Sequence, residues 1–238
     1  YLDGWIAARF ASARNEVELQ IAPALLPALG TILQRVRQTF DLDADPSRTD
    51  PVLASVPVGA RPGIRLPGGM DGFEIAVRAV LGQQVSVAAA RTLTLRVVER
   101  FGRVVVTPFP DLHRLFPDAA TLAAARPDAI GRLGIVRQRV RALQALAAAV
   151  AEGRIALHRG APLAATLEAL RALPGIGEWT TELIAMRALA WPDAFPASDI
   201  GVLNALGTRD IPRVRALAAQ WRPWRSYAVI RLWQALEK

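Results

Sequence analysis

A chain of 238 residues that is 52% hydrophobic is long enough to bury one large core or two modest ones, which excludes disorder as its resting state. The net charge of +8 is uneven: residues 1–50 carry five basic against seven acidic residues and the remainder 24 against 14, so the positive field belongs to the later part, where a polyanion would dock. Cysteine is absent, which excludes disulfides, thiolate zinc sites and cysteine-held iron–sulfur clusters, and 28 of the 29 basic residues are arginine, the one lysine being Lys238.

The first residues, Tyr1-Leu-Asp-Gly, show neither an initiator Met nor a signal-peptide pattern and read as part of a longer chain. Trp5–Phe10 and Val17–Ile21 read as two short strands, the second alternating through Val17, Leu19 and Ile21. Ala24–Phe40 reads as a helix packed against them, together a partial α/β sheet unit. The longest uncharged run, Leu19–Gln34, contains Pro23 and Pro27 and is short for a membrane span. Residues 41–70 carry Asp, Pro and Gly punctuation and read as a linker.

From Asp71 the pattern is helical almost without interruption. The expected helices are 71–82, 86–101, 118–125, 135–152, 162–171, 178–190, 199–206, 211–220 and 224–237, separated by Gly and Pro and filled with Ala, Leu and Arg. The fold class is therefore mainly α, with a small N-terminal sheet unit over residues 1–60 and an all-α body over 61–238.

Within that body, LPGIG at 173–177 reads as a tight turn between two helices. Pro174 stops the first helix, and Gly175 and Gly177 allow backbone angles closed to other residues. Without side chains there, a phosphate can approach the backbone and meet the free N–H groups at the next helix start. An ordinary helix–helix turn has the same composition. Some twenty residues on, a proline-marked loop, WPDAFPASD, delivers Ser198 and Asp199 to another helix start. Asp is a common helix cap there, and it is also the residue type that stabilises a sugar cation.

The order hairpin, helix, loop, Asp, helix resembles the helix-hairpin-helix DNA glycosylase superfamily, and most of all its bacterial 3-methyladenine DNA glycosylase II group. The likeness extends to RPGIRLPGGMDGFEIAVRAVLGQQVSVAAA upstream and QWRPWRSYAVIRLW downstream, covering about residues 15–237. It implies an enzyme that flips an alkylated base out of duplex DNA and hydrolyses its bond to the sugar. It places the catalytic carboxylate at Asp199, leaving Ser198 free to cap the helix, and aromatic pocket positions at Trp179 and Trp233. Gly175, Ile176, Gly177 and Thr180 form its DNA-gripping hairpin. A residue of the turn LGQQVS, Gln84 beside Gln83, enters the duplex.

Two departures stand out: Gln84 where the best-known member has an apolar residue, and Leu183 where a pocket aromatic is expected. The lyase branch carries a lysine where this chain has Trp179, and an indole cannot form a Schiff base. The resemblance thus implies a monofunctional hydrolase with no metal or cofactor, acting as a monomer on double-stranded DNA, away from membranes, in the cytoplasm with the nucleoid. Trp221 and Trp224 are assigned to core packing, for which Trp233 is also suited. Glu182 is assigned to an exposed helix face. A non-catalytic DNA-binding module would account for the charge and LPGIG, though not for FPASD and the tryptophans. An all-α scaffold for protein partners would show no salt-dependent DNA affinity.

Overall fold

The computed structural model describes residues 3–59 and 61–237; Lys238 lies outside them. Strands β1 (Ile6–Ala11) and β2 (Glu16–Ile21) pair antiparallel, with Ile6 opposite Ile21 and Ala11 opposite Glu16. Two strands alone are marginal. This hairpin leans on its surroundings through Trp5 against Phe109, Phe10 against Phe40 and an ion pair between Asp3 and Arg103.

The helix expected at 24–40 is divided. Pro23–Ala28 is a 3-10 segment and only Leu29–Thr39 is α-helical (α1). Pro23 and Pro27 have no N–H to donate, so a regular α ladder cannot pass through them.

The linker expected at 41–70 is not one. Asp45 caps a helix, α2 (Pro46–Leu53), by accepting the Ser47 N–H. Leu53, Val56, Ile64 and Leu66 are buried in the same core as Met186, Phe195 and Trp221. The Pro and Gly residues shape a path across the helical body, and the apolar residues between them fill it.

The body comprises α3 (Gly72–Leu81), α4 (Val87–Phe101), α5 (Ala119–Ala124), α6 (Pro127–Gly131), α7 (Arg137–Ala151), α8 (Leu163–Arg171), α9 (Glu178–Arg187), α10 (Ile200–Ala205), α11 (Ile211–Ala218) and α12 (Arg225–Gln234). The short α6 was not expected; Pro127 at its first turn starts it, as proline does where no N–H is needed. The helix expected at 178–190 stops at Arg187, and Ala190 lies in the left-handed region at φ 52°. Asp or Ser side chains cap α3, α4, α5, α10 and α11 by accepting first-turn N–H groups.

Two apolar cores lie on either side of α9. Ala185 and Met186 belong to the first, with α10, α11 and α12. Ile184 belongs to the second, with α3 and α7, and Leu183 packs partly against it. α9 therefore has no solvent face over most of its length, which is why its sequence lacks an amphipathic stripe.

α12 is fixed against the N-terminal segment by buried polar contacts. Arg231 donates to the carbonyls of Leu53 and Val58, and the Tyr227 hydroxyl donates to Asp41 Oδ2 at 2.7 Å. Burial, and then the Asp41 carboxylate, push the Tyr227 phenol above its ordinary range, so it stays a donor. Leu53→Ala should cost about 2–5 kcal/mol, the range for a buried leucine, whereas the exposed Leu26→Ala should change stability by less than about 0.5 kcal/mol. Urea unfolding of both variants checks this; equal small effects would restore the linker reading.

Candidate active site

The loop before α10 brings Asp199 to the helix start with 7% of its surface exposed. Asp199 itself is the cap: Oδ1 accepts the Val202 N–H at 3.0 Å, while Ser198, expected to be free for that role, is exposed and does not cap. Two indoles complete the carboxylate's surroundings. Trp233 Nε1 donates to Oδ1 at 2.7 Å, and Trp179 Nε1 donates to Oδ2 at 2.9 Å. Oδ1 thus has two donors and Oδ2 one. A carboxylate oxygen offers about two acceptor positions, so Oδ2 keeps one for an incoming group.

The capping and catalytic readings of Asp199 are therefore not exclusive, since one oxygen holds the helix and the other is partly available. Trp179 and Trp233 are both half-buried, with their N–H edges on the carboxylate. Leu183 lies one turn after Trp179 on α9 and is half-buried against the second core.

Gly201 makes the Trp233 contact possible, and sequence reasoning missed it. A Cβ there would sit 2.7 Å from Trp233 Cδ1 and 3.0 Å from Asp199 Oδ1, so only glycine lets the ring reach the carboxylate. The one signal was a glycine inside a predicted helix, a placement that costs stability and asks for a packing reason.

Glu182 was also misjudged. It is 8% exposed: Oε2 accepts the Phe195 N–H at 3.0 Å and Oε1 pairs with Arg171 at 3.3 Å. Glu182 thereby ties α9 to the loop that carries Asp199. From the other side, Arg225 grips the Asp193 carboxylate at 2.7 and 2.9 Å, and Ser226 Oγ donates to the carbonyls of Trp191 and Ala194. The absence of a polar face on α9 was the available hint that no solvated side existed for Glu182.

At the hairpin, Gly175 has φ +77° and nests against Ala142, where a Cβ would lie 3.0 Å from the Ala142 Cβ. Gly177 faces open space and caps α9 without a side chain, which leaves the N–H groups of Glu178, Trp179 and Thr180 without helical partners. The other two expected hairpin residues turn inward. Ile176 is buried, so only its backbone is available, and the buried Thr180 hydroxyl is 2.9 Å from Gln83 Nε2.

That same Gln83 nitrogen donates to the Gly175 carbonyl at 2.9 Å. Gln83 thus braces the α3–α4 turn against the hairpin. Its neighbour Gln84 is exposed at the apex with φ 53°, a left-handed conformation uncommon for a residue other than Gly or Asn. The carboxylate–indole site, the hairpin and this turn are thus mechanically joined.

A helical body with a Gly-Ile-Gly hairpin and a buried helix-start aspartate defines a class, and sequence comparison agrees. The description "HhH-GPD superfamily base excision DNA repair protein" matches residues 77–212, and "AlkA N-terminal domain" matches residues 1–71. The chain belongs to the HhH-GPD superfamily of base excision DNA repair proteins.

It is 36% identical over 221 residues to the DNA-3-methyladenine glycosylase 2 of Escherichia coli, covering 93% of this chain and 77% of that protein. It is 44% identical over 219 residues to a Mycobacterium tuberculosis protein named "Probable bifunctional transcriptional activator/DNA repair enzyme AlkA", and spans 43% of that longer chain. In fold it is similar to a 3-methyladenine DNA glycosylase from Archaeoglobus fulgidus, with a TM-score of 0.75 at 20% identity, covering 96% of this chain and 81% of that one. It is likewise similar to a Clostridium acetobutylicum 8-oxoguanine glycosylase/lyase in complex with double-stranded DNA, with a TM-score of 0.73 at 17% identity, covering 98% and 81%. Among the described residues no helix is long and apolar enough to cross a membrane.

Gly201→Ala separates the close-packing account from an ordinary helix glycine. Alanine gains about 0.8–1.0 kcal/mol of helix propensity, but losing the charge-assisted Trp233–Asp199 bond costs about 1.5–3 kcal/mol. The melting temperature should fall and the Trp233 indole N–H resonance should shift. A higher melting temperature with an unmoved resonance would contradict the contact.

Proposed function

We propose that this chain is a monofunctional DNA glycosylase that hydrolyses the N-glycosidic bond of alkylated bases of the 3-methyladenine type after flipping them from the duplex. The observation that carries this reading is the Asp199 carboxylate, held by two indole N–H groups with one acceptor position left on Oδ2.

Breaking the base–sugar bond leaves cationic character on the sugar. A carboxylate already oriented by three donors stabilises that charge without reorganising at the moment of reaction. Alkylation at a ring nitrogen makes the base cationic, which weakens its bond to the sugar and attracts it to an indole face. Trp179 and Trp233 provide such faces beside the carboxylate. Leu183 adds apolar surface one turn away.

In this reading the hairpin backbone at Gly175, Ile176 and Gly177 holds a phosphate, while Thr180 and Gln83 keep the hairpin in shape. Gln84 fills the space left by the flipped base. Residues 1–60 form the smaller unit and 61–238 the catalytic body, packed together through Leu53 and Val56. Trp179 stands where a lyase nucleophile would be, so the product is an abasic strand left uncut. The protein acts as a monomer on double-stranded DNA in the cytoplasm.

The test is incubation with a duplex carrying 3-methyladenine or 7-methylguanine, with chromatography of released bases. Free base should appear, the strand should stay whole until alkali is added, and borohydride should trap no protein–DNA adduct. Asp199→Asn should lower single-turnover release by about 10²–10³-fold. It should also lower the melting temperature, because an amide nitrogen facing an indole N–H strands a buried donor at about 1–3 kcal/mol. DNA binding should persist. Near-normal release by the folded Asn variant would remove Asp199 from the chemistry.

A further inference from the structure

Arg187 has no place in the chemistry derived so far, yet it stands against the site. It is the last residue of α9, and its guanidinium carbon lies 5.3 Å from the centre of the Trp233 ring. Nη1 donates to the Pro67 carbonyl at 2.6 Å, which fixes the group in place. Burial lowers its pKa from the ordinary arginine value. Among the described residues the cation is offset by a carbonyl dipole and an aromatic face rather than by an ion pair.

Trp233 is therefore held along three directions. Its N–H meets Asp199, its Cδ1 edge lies over Gly201, and Arg187 covers one face. The ring is part-buried, and in the glycosylase reading above the flipped base stacks on the face away from Arg187. An indole attracts cations through the negative potential of its faces. With a fixed cation already on one face, a second cation on the other is attracted less, because the two positive charges repel through a thin apolar layer. A neutral base stacks without that penalty.

We propose that Arg187 is a specificity-determining residue, weakening the hold of Trp233 on cationic bases and so moving excision toward uncharged damaged bases. This rests on the glycosylase reading above. A base stacked about 3.5 Å beyond the ring would place its charge about 9 Å from the guanidinium. For effective dielectrics between about 80 and about 20, repulsion at that distance is about a two- to twentyfold effect on the ratio of cationic to neutral substrate. The developing sugar cation is common to both substrates and cancels in the ratio.

The experiment compares kcat/KM, from single-turnover release at enzyme concentrations well below saturation, for 7-methylguanine, which is cationic, and hypoxanthine, which is neutral, in otherwise identical duplexes. Arg187→Met and Arg187→Gln both remove the charge, and Gln can still donate to the Pro67 carbonyl. Both should raise the cationic-to-neutral ratio by about two- to twentyfold, and Arg187→Lys should hold it near that of the unaltered protein. If the neutral variants slow both substrates equally with the ratio unchanged, Arg187 only props the ring and the proposal is wrong. If the ratio rises equally in the Lys variant, charge is not the cause and the proposal is likewise wrong. Release of neither base by the unaltered protein would contradict the glycosylase reading itself and this inference with it.

Discussion

A carboxylate removed from water must be given hydrogen bonds or it destabilises whatever surrounds it. Asp199 is in that position, and its three donors come from separate parts of the chain: Trp179 at the start of α9, Val202 in α10 and Trp233 near the end of α12. The relative placement of three helices is thereby set by one functional group. The supporting contacts serve the same end. Glu182 and the Asp193–Arg225 pair hold the loop before Asp199, and Arg231 and Tyr227 hold α12 on the N-terminal segment. Removing one donor or acceptor would leave the others underemployed in a dry place, so these contacts act as a unit.

The second constraint is the position of α9 between the two cores. A helix buried on nearly all sides cannot shift toward one without opening a void in the other. Its first turn carries the N–H groups left without helical partners and Trp179, its middle carries Glu182, and its last residue is Arg187. The proposed phosphate contact, the orientation of the Asp199 carboxylate and the guanidinium against Trp233 thus all depend on a single rigid element. Gln83 extends that rigidity to the α3–α4 turn, so the outward Gln84 is registered against the hairpin rather than mounted on an independent loop.

Much of this was legible in the sequence. The Gly-Pro punctuation marked the helices after residue 70 because those residues act locally, through φ angles and missing donors. The strands were found to within one residue because Val17, Leu19 and Ile21 alternate. The hairpin was legible because its Pro and Gly act locally, and Asp199 was singled out by its place in the order of motifs along the chain. What escaped were effects of partners distant in sequence. Residues 41–70 looked like a linker because their apolar residues follow no period, although Leu53 and Leu66 meet a core completed by residues from Leu167 to Leu232. Glu182 looked solvated because burial of a glutamate depends on an acceptor-seeking N–H, here that of Phe195. Arg187 carries no local pattern, and Gly201 only that of a glycine inside a helix, since the meaning of both lies in the Trp233 ring packed against them.

In the proposed reaction Asp199 Oδ2 faces the sugar of the flipped nucleotide while both indole bonds persist. A crystal structure with a duplex containing a cationic, nitrogen-ring abasic analogue tests it most directly, because the ring nitrogen marks where positive charge develops. The account predicts that nitrogen at about 3–3.5 Å from Oδ2, with Trp179 and Trp233 still donating to the carboxylate and the hairpin backbone on a phosphate. A ring nitrogen beyond about 6 Å from either carboxylate oxygen, with the hairpin engaged, would contradict it.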